Sequence, residues 1–553
     1  MKTLLGFVLA MSVTMVMIPL LMRWAVALGV QDIPEARKVH TVPVPRVGGI
    51  AMACGVLLAL FIWGATSRPM QAFWVGIAVL VGFGFWDDRK TLPAGPKFAG
   101  QAIAVLIAML WGDIALTTMT FADRVPLPAL IGLPLSFLFL VGGTNAFNLA
   151  DGLDGLAGGM AMLCLSGTAL LAYTVSNAAV GTAAIVIVGA LVGFLRFNTH
   201  PARVFMGDCG SQVLGFSAAA LTLLLTQDPQ SPLSSALPLL LLGMPIIDTL
   251  LVMIERLSEG RSPFTADRRH IHHRLLALGF EHGEAVSILY VLQGALLVAA
   301  WYLRYASDLS VLAVFGVASA LIVIPIRVAQ HFGLRVRTPT GAGRLSNQNV
   351  TGASKPAATF SPRVAGVVLA GGLSAYGFWV LAMGGSMSRD ELWLALGLAL
   401  VLVAGMLVRR RSTESNWLDR AALYPTGTLA ILLSKSGSAE PLAPLAARYP
   451  ILQSFDWVLF PILALAMIVC IRGTGERTFK ITPLDLLVLL IAITLPNLAE
   501  SVASTRAIGL TILELVLLLY CLETLSFAAR SHWRWLSAGA AVFLVSLSIR
   551  SLL

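Results

Sequence analysis

Long apolar stretches separated by short polar segments run along this whole chain. A helix of about 20 apolar residues crosses the roughly 30 Å hydrocarbon core of a bilayer, because each residue adds about 1.5 Å. The pattern therefore predicts an all-α polytopic membrane protein with about 11 transmembrane helices in its first block. These spans lie near residues 4–27, 48–66, 71–86, 98–116, 127–145, 156–175, 178–196, 212–226, 234–254, 286–303 and 308–327.

After this first block, residues 1–330, the chain becomes polar and rich in Gly, Ser, Thr and Asn, which predicts a flexible linker at 331–362. The C-terminal extension, residues 363–553, is apolar again and predicts about six or seven further membrane helices. Six lie near 363–383, 391–408, 451–471, 482–498, 506–522 and 536–552. A seventh, short crossing near Ala421–Ser434 would place the cation-rich ends of the extension on the same side of the membrane, although Pro425 and Gly427 lie inside it.

Composition agrees with a membrane protein. Hydrophobic residues make up 57% of the 553, charged residues only 12%, and the mean hydropathy is +0.84; soluble domains carry about 25% charged residues. The net charge of +10 resides in loops beside the spans, so it indicates topology and anionic ligands rather than a nucleic-acid partner. The five cysteines are scattered and match neither a zinc motif nor a disulfide framework.

The polar gaps of the first block differ between the two sides. Every second gap is rich in cations, while the alternate gaps hold little more than Arg68, Arg124 and Arg304. Cytoplasmic loops carry the excess of Lys and Arg, so the polar, motif-rich gaps are predicted to be cytoplasmic and the amino terminus external. The apolar run from Leu4 to Leu28 is too long for a signal-peptide core and is taken as the first span.

Carboxylates cluster in these motif-rich gaps. Asp87 and Asp88 are adjacent, and adjacent carboxylates favour a bound divalent cation or one raised pKa. Asp151 and Asp154 lie among glycines that let backbone approach a ligand closely, and Asp208 lies in a further glycine-rich run. Mg²⁺ prefers oxygen ligands. The alternative is that single acids cap helices or face solvent.

A cationic run occupies residues 268–274 and contains His270, His272, His273 and Arg274. Zinc binding is one interpretation, but no cysteine is near and the i, i+4 spacing of helical zinc motifs is missing. A basic juxtamembrane loop is another. Donors to a diphosphate fit better, since Arg makes forked contacts and His donates near neutral pH. Acids opposite cationic donors suit phosphoryl transfer.

Taken together, these motifs resemble those of the polyprenyl-phosphate N-acetylhexosamine-1-phosphate transferase family. The resemblance covers about residues 1–330 and is closest to the N-acetylglucosamine branch. It rests on Asn145–Ala157, Met206–Ser211, the pair Asp87–Asp88, the loop with Lys38, His40, Pro45, Gly48 and Gly49, and the run Ser262–Arg274. Family members often carry a third acid three residues after the second member of the pair; here that position is Thr91, so no role is transferred to it.

The resemblance implies a Mg²⁺- or Mn²⁺-dependent transfer of a sugar-1-phosphate from a UDP-sugar to undecaprenyl phosphate, releasing UMP. It implies Asp208 and Asp88 as metal ligands and Asp87 as the group that deprotonates or orients the lipid phosphate. The remaining residues would bind the nucleoside, the diphosphate or the sugar: Lys38, His40, Asn148, Asp151, Gly152, Leu153, Asp154, Asn198, Phe205, His270, His272, His273 and Arg274. Asp154 would accept a hydrogen bond from uracil, and Phe205 would stack on it.

The expected place of action is the cytoplasmic face of a bacterial inner membrane, in the first membrane step of cell-envelope polysaccharide synthesis. Membrane lipid is an expected partner, and a homodimer is one assembly compatible with the sequence. UDP-N-acetylglucosamine is the favoured donor; UDP-N-acetylmuramoyl-pentapeptide or a diacetamido sugar is the alternative. A transporter would place its acids near span centres, and a scaffold would not need the whole acid set. No motif assigns a role to residues 363–553.

Overall fold

The computed structural model describes residues 2–33, 43–121, 123–262, 269–336, 362–383, 387–409, 417–436, 455–473, 502–528 and 530–552. In this part of the chain, 11 helices are long and apolar enough to cross a membrane. The predicted all-α polytopic membrane architecture is therefore confirmed. Close contacts divide the chain into two units, one built mainly from residues 13–339 and the other mainly from residues 340 onward.

In the first unit the helices follow one another across the bundle and back. They are α1 (Lys2–Leu28, of which the residues up to Ser12 group with the second unit), α2 (Gly48–Trp63), α3 (Arg68–Lys90), α4 (Ala94–Leu106, continued by a π-helical turn at Ile107–Trp111), α5 (Ala129–Ala150), α6 (Leu156–Thr174), α7 (Ala178–Asn198), α8 (Gly207–Gln227), α9 (Pro238–Leu241), α10 (Gly243–Ser258), α11 (Ile271–Ala277), α12 (His282–Tyr302) and α13 (Asp308–His331). Successive ends alternate, so the motif-rich gaps lie at one end of the bundle, here called the motif end.

Two short antiparallel hairpins complete this unit. β1 (Gln31–Asp32) pairs with β2 (Val44–Pro45) at the motif end. β3 (Thr118–Thr120) pairs with β4 (Arg124–Pro126) at the opposite end. There the Asp308 carboxylate accepts hydrogen bonds from Thr120 N at 2.6 Å and Ala236 N at 3.0 Å, tying the hairpin to the rest of that end.

The span predicted at 234–254 is not one helix. It consists of α9 and α10, which meet at Leu242 and Gly243. The buried Gln293 of α12 donates from Nε2 to Leu241 O at 2.8 Å and accepts from Met244 N at 2.9 Å. A buried backbone group without a partner is unfavourable, so this amide side chain stabilises the break inside the apolar bundle.

Helix α8 forms the centre of the unit, packing against α2, α3, α5 and α6. Its contact with α3 is close because Gly84 has no side chain: a Cβ there would lie 2.4 Å from Cys209 Cα. Such small residues let helices in membranes approach one another. The contact sets the ends of α3 and α8, and the acids they carry, side by side.

The second unit contains α14 (Pro362–Met383), α15 (Arg389–Arg409), α16 (Trp417–Ser436), α17 (Phe455–Gly473), α18 (Val502–Ala528) and α19 (Arg530–Leu552). Helix α16 covers the extra crossing predicted at 421–434 and is largely buried. Lys435 at its end pairs with Asp456 at 2.7 Å and Glu514 at 3.0 Å. The span predicted at 482–498 lies outside the described residues.

Candidate active site

Three charged side chains from three helices meet at the motif end. Lys97 Nζ of α4 lies 2.7 Å from Asp87 Oδ2 of α3 and 2.9 Å from Asp208 Oδ2 of α8. The Asp87 side chain is buried, while a quarter of the Asp208 side chain is exposed. Two carboxylates this close repel each other unless a cation lies between them, and here the ammonium group fills that position.

The Asp208 carboxylate is oriented by a second contact. Asn148 Nδ2, at the end of α5, donates to Asp208 Oδ1 at 2.5 Å and lies 2.8 Å from Ser211 Oγ. Asp208 Oδ2 faces Lys97. The two oxygens are therefore held by different groups, and the side chain is fixed before any substrate arrives.

Asp88 has a different environment from its neighbour. Its two oxygens accept hydrogen bonds from the backbone N–H groups of Asp208 at 2.8 Å and Cys209 at 3.1 Å. It thereby caps the N-terminus of α8, where N–H groups lack helical partners. Gly207 makes this possible: its φ is +69°, and a Cβ there would lie 2.4 Å from Asp88 Oδ2.

The loop before α2 is bound to the segment before α8. Gly48 N donates to Phe205 O and Gly49 N to Met206 O, both at 2.9 Å. In return Phe205 N donates to Pro45 O at 2.8 Å. The two motifs, far apart in sequence, form one layer at the motif end. Lys38 and His40, predicted from the same loop, lie outside the described residues.

The loop between α5 and α6 carries Asp151, Gly152, Leu153 and Asp154. Its end is clamped by the buried Asn198, whose Oδ1 accepts from Gly155 N and whose Nδ2 donates to Val204 O, each at 2.9 Å. Burial, together with the nearby Asp208 and Asp154, raises the pKa of Asp151 to about 7. Asn198 thus uses both ends of its amide to shape the loop.

Asp154 belongs to a hydrogen-bonded network with two histidines. Its Oδ2 lies 2.7 Å from His200 Nδ1 and accepts from Ala202 N at 3.1 Å, while His282 Nε2 lies 3.4 Å from its carbonyl oxygen. The His200 and His282 rings stack, with centroids 4.2 Å apart and planes 24° apart. These three side chains are metal-ligand types in proximity. However, lone pairs lie in the ring planes, so nearly parallel stacked rings do not converge on one ion.

The histidine segment is fixed by a buried carboxylate on α10. Asp248 Oδ2 lies 2.8 Å from His270 Nδ1, and Asp248 Oδ1 accepts from Ile271 N at 2.6 Å. The segment reaches the α5–α6 loop, because a Cβ at Gly152 would lie 2.2 Å from His272 Nε2. Burial lowers the pKa of His272 to about 3, and the neighbouring histidines add to this effect. His273 is half-buried, its ring centroid 4.2 Å from that of His272.

Arg274 faces away from the carboxylate cluster. Its Nη2 donates to both oxygens of Glu255 at 2.6 Å, and its Nη1 donates to Gln330 Oε1 at 3.1 Å. Arg327 also contacts Glu255. The structure therefore separates Arg274, which lies among α10, α11 and α13, from His272, which lies against Gly152.

Asp87 and Asp208 are the side chains best placed to hold a divalent cation. Both are carboxylates, the ligand type that Mg²⁺ prefers, and both already face one cationic group, Lys97 Nζ. Asp88 was predicted as a metal ligand too, but each of its oxygens accepts a backbone N–H. Asp87 and Asp208 therefore fit a magnesium site by ligand type and proximity. The role of Asp88 as a metal ligand stays a prediction, and its backbone contacts support the helix that carries Asp208.

Sequence patterns pointed to the acids but not to several of their partners. From the sequence alone, Lys97 is only one of the cations in its polar gap, although this gap directly follows the acid pair. His200, Asp248 and His282 belong to no recognisable motif, since their partners are distant in sequence. Their only sequence signal is position: His200 and His282 lie in predicted motif-rich gaps, and Asp248 lies near the end of a predicted span.

Fold and site together define a polytopic membrane protein whose charged site lies at one end of its helical bundle. Residues 70–226 match the model of glycosyl transferase family 4. The chain belongs to this family, as the motifs indicated, and to the branch that contains the relatives below.

Three relatives illustrate the match. A probable undecaprenyl-phosphate N-acetylglucosaminyl 1-phosphate transferase of Bacillus subtilis is 34% identical over 53% of this chain and 82% of its own. A decaprenyl-phosphate N-acetylglucosaminephosphotransferase of Mycobacterium leprae is 33% identical over 47% and 73%. An undecaprenyl-phosphate alpha-N-acetylglucosaminyl 1-phosphate transferase of Escherichia coli K12 is 28% identical over 58% and 91%. About half of this chain therefore has no counterpart in these matches.

Proposed function

We propose that this protein transfers N-acetylglucosamine-1-phosphate from UDP-N-acetylglucosamine to undecaprenyl phosphate and releases UMP. The observation that best supports this is the meeting of Asp87, Lys97 and Asp208 at the motif end. The names of the relatives supply the acceptor and the transferred group. The site would face the cytoplasm at the bacterial inner membrane, because the cation-rich gaps lie at this end. The reaction would begin the membrane stage of cell-envelope polysaccharide synthesis.

In the proposed reaction an oxygen of the lipid phosphate bonds to the β-phosphorus of the donor. The bond from that phosphorus to the bridging oxygen breaks, and UMP leaves with this oxygen. Catalysis of such transfers depends mainly on positioning and charge stabilisation. When bound through Asp208 and Asp87, Mg²⁺ or Mn²⁺ would neutralise phosphate charge.

The chain's own residues would do the positioning. Asp87 would orient or deprotonate the lipid phosphate, and Lys97 would balance the carboxylates as the cation binds. Asp154 would accept from the uracil base, held in place by His200 and Ala202, and Phe205 would stack on the base. His270, His272 and His273 would donate to the diphosphate and sugar, together with Lys38 and His40 from their loop. Arg274, which pairs with Glu255 away from this site, would support the segment that carries the histidines.

The direct test is incubation of the purified protein with Mg²⁺, undecaprenyl phosphate and a panel of UDP-sugars, scoring UMP and lipid product. We expect product with UDP-N-acetylglucosamine, loss of turnover in Asp208→Asn, and normal turnover in Asp113→Asn, which changes an exposed acid at the opposite end. Product only with UDP-N-acetylmuramoyl-pentapeptide or a diacetamido sugar would keep the chemistry and change the donor. No product from folded protein with any donor would exclude the proposal.

A further inference from the structure

An arginine-lined basin lies outside the candidate active site, where α10, α11 and the end of α13 meet. It is a recess of about 340 Å³, and its charged and amide lining consists of Glu255, Glu259, Arg269, Arg274, Arg327 and Gln330. It opens at the motif end, on the side of α11 that carries Arg274.

Each carboxylate of this arginine basin is shared by two guanidinium groups. Glu255 accepts from both Arg274 and Arg327. Glu259 likewise contacts both Arg261, at 3.3 Å, and Arg269. The lining itself holds three arginines and two glutamates, so its charge favours an anion.

The basin borders an apolar helix surface. Arg327 is half exposed, and the side chains around it on α13, Leu321, Ile324 and Val328, are 70%, 57% and 44% exposed. Because α13 is long and apolar enough to span a membrane, this surface suits lipid chains. A cation at the end of such a surface reaches the level of lipid headgroups.

We propose that the arginine basin binds the phosphate group of an anionic phospholipid from the adjacent leaflet. Guanidinium groups bind phosphate oxygens through paired, charge-assisted hydrogen bonds. Arg327 is the principal contact because it is the exposed partner of Glu255, whereas Arg274 is buried against the same carboxylate. Since Arg274 also belongs to α11, an occupied basin stabilises the segment that carries the histidines.

The test measures lipid binding to the full-length protein by native mass spectrometry, with phosphatidylglycerol and phosphatidylcholine offered in parallel. We expect preferential retention of phosphatidylglycerol, weakened about tenfold in Arg327→Gln, as for loss of a charged hydrogen bond. Arg327→Lys should recover part of the binding. Arg335→Gln is the matched control, because Arg335 is an exposed arginine outside the basin.

A thermal unfolding curve for each variant shows whether the fold survives. Equal retention of the two lipids, or unchanged phosphatidylglycerol retention in folded Arg327→Gln, would overturn the proposal. Inorganic phosphate is offered as a competitor to distinguish the source of the anion. Arg327-dependent stabilisation by phosphate without lipid preference would support an anion site but overturn its assignment to lipid.

Discussion

Lys97 lies between two carboxylates that belong to different helices, and its ammonium group contacts both. Replacing it with glutamine would leave Asp87 and Asp208 facing each other without that cation. We expect Lys97→Gln to lower turnover about 100-fold, the scale on which charge-stabilising groups act. We also expect Mg²⁺ to raise the unfolding temperature more in this variant than in the unmodified protein, because the carboxylates would then depend on the metal ion.

Lys90→Gln is the matched control, since Lys90 is exposed at the end of α3. The turnover rate kcat is measured with saturating donor, and thermal unfolding is followed with and without Mg²⁺. If Lys97→Gln matched the unmodified protein in both measurements, Lys97 would have no part in balancing the carboxylates.

The lowered pKa of His272 predicts that the free energy of unfolding depends on pH. Its pKa falls to about 3 in the folded protein, compared with about 6.5 in an unfolded chain. Below about pH 6.5 the unfolded state gains a proton that the folded state does not, so the free energy of unfolding falls as the pH falls towards 3. At pH 5 the loss would be about 2 kcal/mol, at about 1.4 kcal/mol per pKa unit.

His272→Asn removes this contribution. Chemical unfolding in detergent at pH 7.5 and pH 5 should therefore show a smaller drop for the variant than for the unmodified protein. His331→Asn, which changes an exposed histidine, should keep the full drop. An equal drop in all three proteins would contradict a buried, neutral His272.

At the scale of elements, two glycines on α3 allow a test of helix packing, because one lies in close contact with α8 and the other does not. A Cβ at Gly84 would lie 2.4 Å from Cys209 Cα, whereas at Gly82 nothing lies within 4 Å. We expect Gly84→Ala to push α3 from α8, to lower the free energy of unfolding by about 1–3 kcal/mol and to reduce turnover, because Asp87 and Asp208 would move apart. Gly82→Ala should be neutral or slightly stabilising, since alanine favours helices. Equal behaviour of the two variants in thermal unfolding and turnover would argue against this close packing.

Spans were predictable where apolar length alone decides the structure. Helices α5, α6 and α7 follow their predicted spans closely, because a bilayer-length apolar run has one favourable arrangement. The break between α9 and α10 was not predictable, since its stabilising partner, Gln293, comes from another helix. The same holds for the site: glycine-rich runs indicate where acids gather, but pairs such as Asp248 with His270 exist only after folding.

At the scale of the whole molecule, the family match and the candidate site both lie in the first unit, and neither extends to the second. The family match lies at residues 70–226, and every described contact of the carboxylate cluster comes from residues 87–211. The second unit carries its own ion pairs, such as Lys435 with Asp456. Charged groups inside a membrane bundle are costly unless they have a partner or a function, and here the partners are Asp456 and Glu514.

This division predicts the behaviour of a protein that ends at residue 339. Because the described site contacts need nothing beyond that residue, the truncated protein should keep transferase turnover in detergent, within about tenfold of the full chain once its stability is matched. Turnover and thermal unfolding are measured side by side for both lengths. A truncated protein that unfolds cooperatively but has no turnover would show that the extension takes part in catalysis. Retained turnover would direct the search for its role towards lipid handling or partner binding.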